Sequence, residues 1–423
     1  MQRELNDLEY LNYSIGQPYN LVVSLHIKGD LTEKLLKEAL MKMQYRHPLL
    51  SVRLKEIEKD IPWFSSEGVE EIPIKTIIRK SEFDTKEEFH KQLITPFDYS
   101  LIKSPLFRVT LIKSDIDSNL ILCSQHTITD GLSMAFLIRD LITYLNNPNM
   151  KVEILDAPAK DDDIFSPKVR RSIAKTAIRA KIILRLLKIY HFFAFGFGKR
   201  KKILVKQKES KHTDLEVYSW TLSEKQTEEF LLKCKEKGIS VHSAICTAFL
   251  PDINIILNPV DLRRRLNYPI GESFGLYAGG TVFSLKYRNR KNFWYNARRF
   301  QRKLIWNLRD RKIYSINRLL NKALPLPLMQ NLGILFTDIV SKTTPFALTN
   351  LRSLDKLGIT FESDKFSVES FNAAISNTLD GMTVVVYTLR NKMHFHFNYM
   401  DTIHDFEKIK QISKNVLKRI LTS

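Results

Sequence analysis

Apolar and polar residues alternate along several short stretches of the chain, and longer stretches repeat their apolar positions every three or four residues. Alternation rich in β-branched residues is typical of strands, whereas the longer period is typical of amphipathic helices. The pattern predicts strands at 19–29, 49–54, 72–78, 106–113, 119–125, 216–222, 253–262, 277–287, 345–350, 382–389 and 392–399. It predicts helices at 31–45 (with Thr32 as the N-cap), 85–94, 132–146, 223–237, 241–249, 291–309 and 405–421. Strands and helices are therefore interleaved along the chain, which predicts a mixed α/β fold.

One stretch, residues 155–167, breaks this pattern with a run of aspartates and two prolines. Such a composition is typical of a surface linker between domains. The length of 423 residues also exceeds what one hydrophobic core usually serves. We expect an N-terminal domain at 1–155, a linker with a basic amphipathic segment at 156–214, and a C-terminal domain at 215–423.

The composition describes a globular protein, because apolar residues make up 44% of the chain and charged residues only 26%. The three cysteines, Cys123, Cys234 and Cys246, show no C-x-x-C spacing, which argues against a disulfide framework or a zinc site. Residues 1–11 lack an apolar signal-peptide core, and no uncharged apolar run is long enough to span a membrane. We therefore expect a cytoplasmic protein.

The segment with the strongest chemical interest is residues 125–131 (QHTITDG), between a predicted strand and a predicted helix. A histidine at a strand end projects readily into a cleft, and its imidazole titrates near neutrality, so His126 suits proton abstraction. Asp130 is expected to cap the next helix or to pair with an arginine, and Gly131 to permit a tight turn or a positive φ. A short motif of this kind is weak evidence when it is taken alone.

Residues 125–133 (QHTITDGLS) resemble the HHxxxDG signature of condensation domains and related CoA-dependent acyltransferases. Four further stretches resemble elements of that superfamily in the expected order: 39–54 (with Arg-His-Pro-Leu-Leu), 96–112 (with Pro-Leu-Phe-Arg), 258–263 (NPVDLR) and 348–351 (LTNL). The resemblance covers most of the chain and is closest in style to stand-alone members, such as alcohol acetyltransferases, wax ester synthase-like proteins and polyketide-associated acyltransferases.

The resemblance implies a fold of two chloramphenicol acetyltransferase-like domains, each a mixed sheet flanked by helices, with an active-site tunnel between them and a monomeric state. It implies transfer of an acyl group from a thioester, on CoA or an acyl carrier protein, to a hydroxyl or amine acceptor of lipid-like character. The thioester is a substrate, and neither a separate cofactor nor a metal is expected. The alternative is a non-catalytic relative that binds a carrier protein or a lipid surface.

The resemblance also assigns roles to individual residues. His126 becomes the general base, and Asp130 a structural residue that pairs with an arginine. The partner arginine is expected to be Arg263, although its neighbours Arg264 and Arg265 are alternatives. The sequence departs from the family pattern in three places: Gln125 replaces the first signature histidine, Thr349 replaces the serine of a late Ser-Asn-x-Gly element, and the glycine of that element is Arg352 or absent. Thr349 is the candidate side chain for holding the oxyanion.

The formal net charge of +20 attracts anionic partners of several kinds. Residues 164–208 hold fourteen Lys or Arg and no Asp or Glu, and they include the uncharged aromatic run 189–198. The segment 168–208 is therefore expected to lie on an anionic membrane surface at the inner face, to dock a carrier protein or CoA, or to pack on its own domain. No sequence signature of a nucleic-acid-binding fold is present, so no nucleic acid is expected as a partner.

Overall fold

The computed structural model describes residues 1–57, 61–114, 117–157, 171, 178, 215–266, 270–309, 346–359, 365–376 and 381–423. The strands in this part of the chain are β1 (Gln2–Glu4), β2 (Asn20–Lys28), β3 (Arg53–Ile57), β4 (Ile61–Ser65), β5 (Ile74–Ile78), β6 (Phe107–Lys113), β7 (Asp117–Gln125), β8 (Leu215–Thr221), β9 (Ile255–Asp261), β10 (Ala278–Ser284), β11 (Phe346–Ser353), β12 (Ser367–Ile375), β13 (Met382–Leu389) and β14 (Lys392–Met400). The α-helices are α1 (Asp7–Ser14), α2 (Glu33–Arg46), α3 (Glu82–Ile94), α4 (Gly131–Asn146), α5 (Glu224–Glu236), α6 (Val241–Phe249), α7 (Phe293–Asn307) and α8 (Phe406–Thr422).

Two large sheets organise the molecule. The N-terminal sheet has the order β12-β2-β7-β6-β5, and the C-terminal sheet has the order β10-β9-β11-β13-β14-β8. Each sheet contains both parallel and antiparallel pairs, such as parallel β5–β6 beside antiparallel β6–β7. Helices pack on both sheets, and each sheet has its own hydrophobic core. The expected mixed α/β fold of mixed sheets flanked by helices is confirmed.

Strand β12 crosses between the two halves of the chain. It comes late in the sequence, between β11 and β13, which both belong to the C-terminal sheet. It nevertheless pairs antiparallel with β2 over almost its whole length, from Ser367 opposite Lys28 to Ile375 opposite Leu21. The N-terminal sheet is therefore completed by a strand from the C-terminal part of the chain, which fixes the two sheets beside each other.

Local capping explains why several helices begin where they do. The hydroxyl of Thr32 accepts a hydrogen bond from the backbone N–H of Leu35 at 3.3 Å, so the predicted N-cap of α2 is present. Helix α1 and strands β1, β4 and β12 were not predicted. Helix α1 has almost no apolar periodicity. It is held instead by a capping box between Asn6 and Glu9 and by a buried ion pair of Glu9 with Arg3 at 2.6 Å.

The predicted strand at 49–54 is wrong in its first half. Residues Pro48–Ser51 form a 3-10 turn, and β3 begins only at Arg53. Proline at the first position of a helical turn has no N–H to lose and a φ already suited to the turn. Leu49 and Leu50 still point inward and are fully buried, so their apolar character reflects core packing and not an extended strand.

A buried polar network joins the two sheets. The Tyr387 hydroxyl on β13 donates to the backbone carbonyl of Phe371 on β12. It therefore accepts from His396 Nε2 at 2.7 Å, while His396 Nδ1 accepts from the Ser219 hydroxyl at 2.9 Å. Burial and, as the smaller cause, the neighbouring His394 lower the pKa of His396 to about 4. The neutral ring thus uses both nitrogens in the network.

This network predicts a pH dependence of stability. His396 has an ordinary pKa of 6.5 in the unfolded chain and a depressed one when folded, so the unfolded state takes up its proton first as the pH falls. The contribution of His396 to the free energy of unfolding is fully present above about pH 6.5. It falls by roughly 3 kcal/mol as the pH approaches 4. In urea denaturation, His396→Gln should show a shallower decline over this range and a curve parallel to wild type above pH 7. Equal slopes at all pH values would contradict this account.

Candidate functional site

A cavity of about 520 Å³ lies between the two large sheets. Its walls come from β2, β12 and the start of α4 on one side, and from β9, β10, β11 and β13 on the other. Most lining side chains are aliphatic or aromatic, and the few polar ones include His126 and Thr349. A cavity of this size with an apolar lining and few polar groups is typical of small-molecule sites.

His126 directly follows β7 and borders this cavity. Its backbone N–H donates to the Tyr19 carbonyl at 2.8 Å, and its ring stacks on the Tyr19 ring with centroids 4.8 Å apart. Nδ1 lies 2.7 Å from the Thr129 carbonyl oxygen. Because a carbonyl only accepts, Nδ1 must carry the proton, and the neutral ring keeps its lone pair on Nε2.

Burial also sets the charge of this ring. Desolvation lowers the pKa of His126 below its ordinary value of 6.5, although the hydrogen bond to Thr129 and the charge of Asp130 oppose the shift. The imidazole is therefore neutral at neutral pH. A neutral imidazole with an available Nε2 is able to accept a proton from a group in the cavity.

Gln125 is the last residue of β7 and is completely buried beside His126. Its side-chain oxygen accepts from the backbone N–H of Thr127 at 2.5 Å, and its amide nitrogen donates to the Tyr99 hydroxyl at 3.1 Å. These bonds fix the turn that carries His126. The structure thus places Gln125 behind the site, where it supports the loop.

The Asp130 carboxylate joins three parts of the chain. One oxygen accepts from the backbone N–H of Ser133 at 2.8 Å and caps α4. The other oxygen accepts from the backbone N–H of Tyr277 at 2.8 Å and lies 3.5 Å from Arg263 Nη1. Since the carboxylate is buried, these donors replace the water that it loses.

Of the three neighbouring arginines, the structure brings Arg263 to Asp130. Its guanidinium is buried, donates to the Ser133 hydroxyl at 2.5 Å and to Asp261 at 3.2 Å, and lies over the Tyr277 ring. Arg264 is exposed to solvent, while Arg265 donates to the carbonyl of Leu308. Arg263 is therefore the arginine that lies beside Asp130, a role for which the sequence offered three candidates.

Gly131 relieves a close contact instead of supplying the expected positive φ. It is the first residue of α4, and its φ lies outside the left-handed region, so neither a positive φ nor a tight turn explains it. A Cβ at this position would instead lie 2.6 Å from Cδ2 of Leu351 on β11. The glycine lets β11 of the C-terminal sheet approach the start of α4 closely.

Thr349 lies on β11 and borders the same cavity as His126. The structure therefore brings the oxyanion candidate into the site, and its chemical role stays a prediction. His396 belongs to the network between the sheets, His394 pairs with the Thr221 hydroxyl on β8, and neither lines the cavity. Within the described ranges, no cluster of three or more His, Cys, Asp or Glu side chains is arranged to hold a metal ion.

Three site residues were missed in the sequence: Tyr19, Ser133 and Tyr277. Tyr19 stacks on His126, and Tyr277 supplies a backbone donor to Asp130. The Ser133 hydroxyl bonds Arg263 and also the backbone of Gly275, whose N–H donates to it at 3.1 Å. Only Ser133 could have been recognised from the sequence, because it lies three residues after the candidate helix cap Asp130. At that position its backbone N–H faces the side chain of the cap.

The comparisons with known proteins agree with this architecture. Residues 11–157 match the family model of the condensation domain. Bacitracin synthase 3 of Bacillus licheniformis is 27% identical over 160 residues, which are 36% of this chain and 2% of that protein. The chain thus corresponds to a small part of the curated relatives that it matches.

Solved structures resemble the whole chain. The first condensation domain of the calcium-dependent antibiotic synthetase superposes with a TM-score of 0.70 at 12% identity, covering 100% of this chain and 96% of that one. Trichothecene 15-O-acetyltransferase from Fusarium sporotrichioides superposes with a TM-score of 0.66 at 12% identity, covering 99% and 95%. These superpositions show that the chain shares the fold of both proteins.

The predicted basic segment 168–208 lies outside the described residues, apart from Arg171 and Ile178. Its expected contacts with a membrane or a carrier protein stay predictions. No helix in the described part of the chain combines the length and apolar character needed to cross a membrane. The domain boundaries and the monomeric state also stay predictions.

The Asp130 contacts predict a large loss of stability on truncation. Asp130→Ala removes a helix cap, leaves the Tyr277 N–H without its acceptor and takes a buried carboxylate away from Arg263. The free energy of unfolding should fall by about 3 kcal/mol in urea denaturation. Arg264→Ala, at an exposed neighbour of Arg263, should change it by less than about 0.5 kcal/mol. Equal stability of the two variants would contradict the proposed contacts.

Proposed function

We propose that this protein transfers an acyl group from a thioester to a hydroxyl or amine acceptor, with His126 as the general base. The observation that carries the proposal is the state of the His126 ring at the cavity wall. Its Nδ1 is committed to the Thr129 carbonyl, and burial lowers its pKa. The Nε2 lone pair is therefore available to a substrate at neutral pH.

In the proposed reaction, the acceptor O–H or N–H gives its proton to Nε2 of His126 as the acceptor atom attacks the thioester carbonyl carbon. The carbonyl electrons move to oxygen and form a tetrahedral oxyanion. When the oxyanion collapses, the C–S bond breaks and the thiolate leaves with the proton returned from Nε2. The products are an ester or amide and a free thiol, and no covalent acyl-enzyme is needed, because both substrates meet in one cavity.

The oxyanion needs hydrogen-bond donors placed before the reaction begins. Thr349 is the proposed side-chain donor, because it borders the cavity from the strand facing His126. Asp130, Arg263 and Gln125 act on the reaction only through position. They hold the loop and the start of α4, and the bonds described above occupy them.

The cavity lining favours apolar substrates. Leu21, Val23, Leu257 and Met134 are among the side chains that face it, and Asp130 is the carboxylate at its edge. Since Asp130 is held by Ser133 and Tyr277, no free acidic group on the described wall meets a substrate ammonium. We therefore propose an uncharged, lipid-like acyl group or acceptor, carried as a CoA or carrier-protein thioester.

The test is a thiol-release assay with acyl-CoA donors of graded chain length, a charged malonyl donor, and pooled alcohols and amines. Wild type should release thiol with apolar donors and form an ester or amide. His126→Ala should lower kcat by about 10²- to 10⁴-fold, because proton transfer then lacks its positioned base. The matched control is His90→Ala, at a histidine on α3 that does not line the cavity, which should retain wild-type activity.

Two outcomes would contradict the proposal. Equal turnover by wild type and His126→Ala would remove His126 from the chemistry. No turnover by wild type with CoA donors, repeated with an acylated carrier protein, would favour a non-catalytic relative that binds a carrier protein or a lipid surface. Correct folding of each variant is checked by circular dichroism and urea denaturation.

A further inference from the structure

Helix α7 has an inward face that packs on the C-terminal sheet and an outward face of unusual composition. On the inward face, the ring of Phe300 lies 5.0 Å from that of Phe283 on β10, and Ala297 is fully buried. On the outward face, Tyr295 is 36% exposed and Ile305 is 58% exposed. Ile305 and part of the Tyr295 ring are thus exposed on the side of α7 that points away from the described core.

Cations alternate with these apolar residues. Arg298 and Arg302 are exposed and lie between Tyr295 and Ile305 at helical spacing. Two further cations, Arg299 and Lys303, donate to backbone carbonyls at 3.2 and 2.6 Å, so their charges are not cancelled by carboxylates in these bonds. Between residues 273 and 309 the sequence contains nine Lys or Arg and no Asp or Glu.

We propose that this outward face binds an anionic membrane surface. The face comprises Tyr295, Arg298, Arg302 and Ile305, and is called the α7 face below. Cations bind acidic headgroups, whereas tyrosine and isoleucine enter the boundary between headgroups and acyl chains. The face thus mixes cations with exposed apolar groups and includes no carboxylate, which is the composition expected for an anionic lipid surface.

Helix α7 is connected to the residues at the edge of the cavity. The carbonyl of Leu308, just past the end of α7, accepts from Arg265. Arg265 belongs to the same 3-10 turn as Arg263, which contacts the residues at the cavity edge. A membrane bound at the α7 face would therefore contact a helix that is hydrogen-bonded to the turn at the cavity edge. The cavity would then lie near the membrane, which is a source of apolar substrates.

The experiment is co-sedimentation of the full chain with vesicles of phosphatidylcholine alone or of phosphatidylcholine mixed with phosphatidylserine. Wild type should bind the mixed vesicles much more than the neutral ones. Arg298→Glu/Arg302→Glu should lower the partition coefficient onto mixed vesicles by at least about tenfold, from the loss of two surface cations and their reversal. The matched control, Lys34→Glu/Lys91→Glu on exposed positions of α2 and α3 in the N-terminal half, makes the same change in net charge and should bind nearly as wild type.

A second variant separates apolar insertion from charge. Ile305→Ser leaves every cation in place and should still weaken binding to mixed vesicles several-fold, because it removes an exposed apolar side chain from the lipid boundary. Binding by Arg298→Glu/Arg302→Glu equal to that of Lys34→Glu/Lys91→Glu would overturn the proposal. Failure of wild type to bind mixed vesicles would overturn it as well and would favour an acidic protein as the occupant. Vesicle binding requires no turnover, so these results are independent of the acyl-transfer assay.

Discussion

The buried carboxylate of Asp130 is the contact on which the site depends. It caps α4 through Ser133, accepts from the backbone of Tyr277 and lies beside the Arg263 guanidinium. These partners come from both halves of the chain, so one side chain fixes the start of α4 against the segments leading to β10 and from β9. A carboxylate out of water needs such donors, and the donors in turn need the carboxylate. The cavity and its histidine take their geometry from this mutual requirement.

His126 gains its chemical state from the same loop. The Thr129 carbonyl, one residue before Asp130, holds the proton on Nδ1, while burial beside Tyr19 keeps the ring neutral. The loop that anchors α4 therefore also selects the tautomer of the histidine. Gly131 adds a third constraint, since a Cβ there would lie 2.6 Å from Cδ2 of Leu351 on the opposite sheet and would force that side chain to move. The six residues from His126 to Gly131 therefore anchor α4, select the tautomer of His126 and allow β11 to approach α4.

Much of the fold was predictable, because most strands and helices carry their own apolar period. The exceptions have physical causes. Helix α1 is held by a polar cap and a buried Arg3–Glu9 pair that no period reveals, and β12 joins a distant strand that sequence order does not indicate. At the site, the motif located His126 and Asp130, but Tyr19 and Tyr277 act through ring stacking and a backbone N–H. Those roles exist only in the folded protein, so they cannot be predicted from the residue types in the sequence.

The central claim is that the cavity presents a neutral His126 with its proton on Nδ1 and its lone pair on Nε2. Imidazole nitrogen chemical shifts, measured by NMR on protein labelled with ¹⁵N-histidine and assigned with His126→Ala, report tautomer and charge directly. The account predicts the Nδ1–H tautomer at neutral pH, with protonation only as the pH falls below 6.5. An Nε2–H tautomer, or a ring already charged at neutral pH, would contradict it.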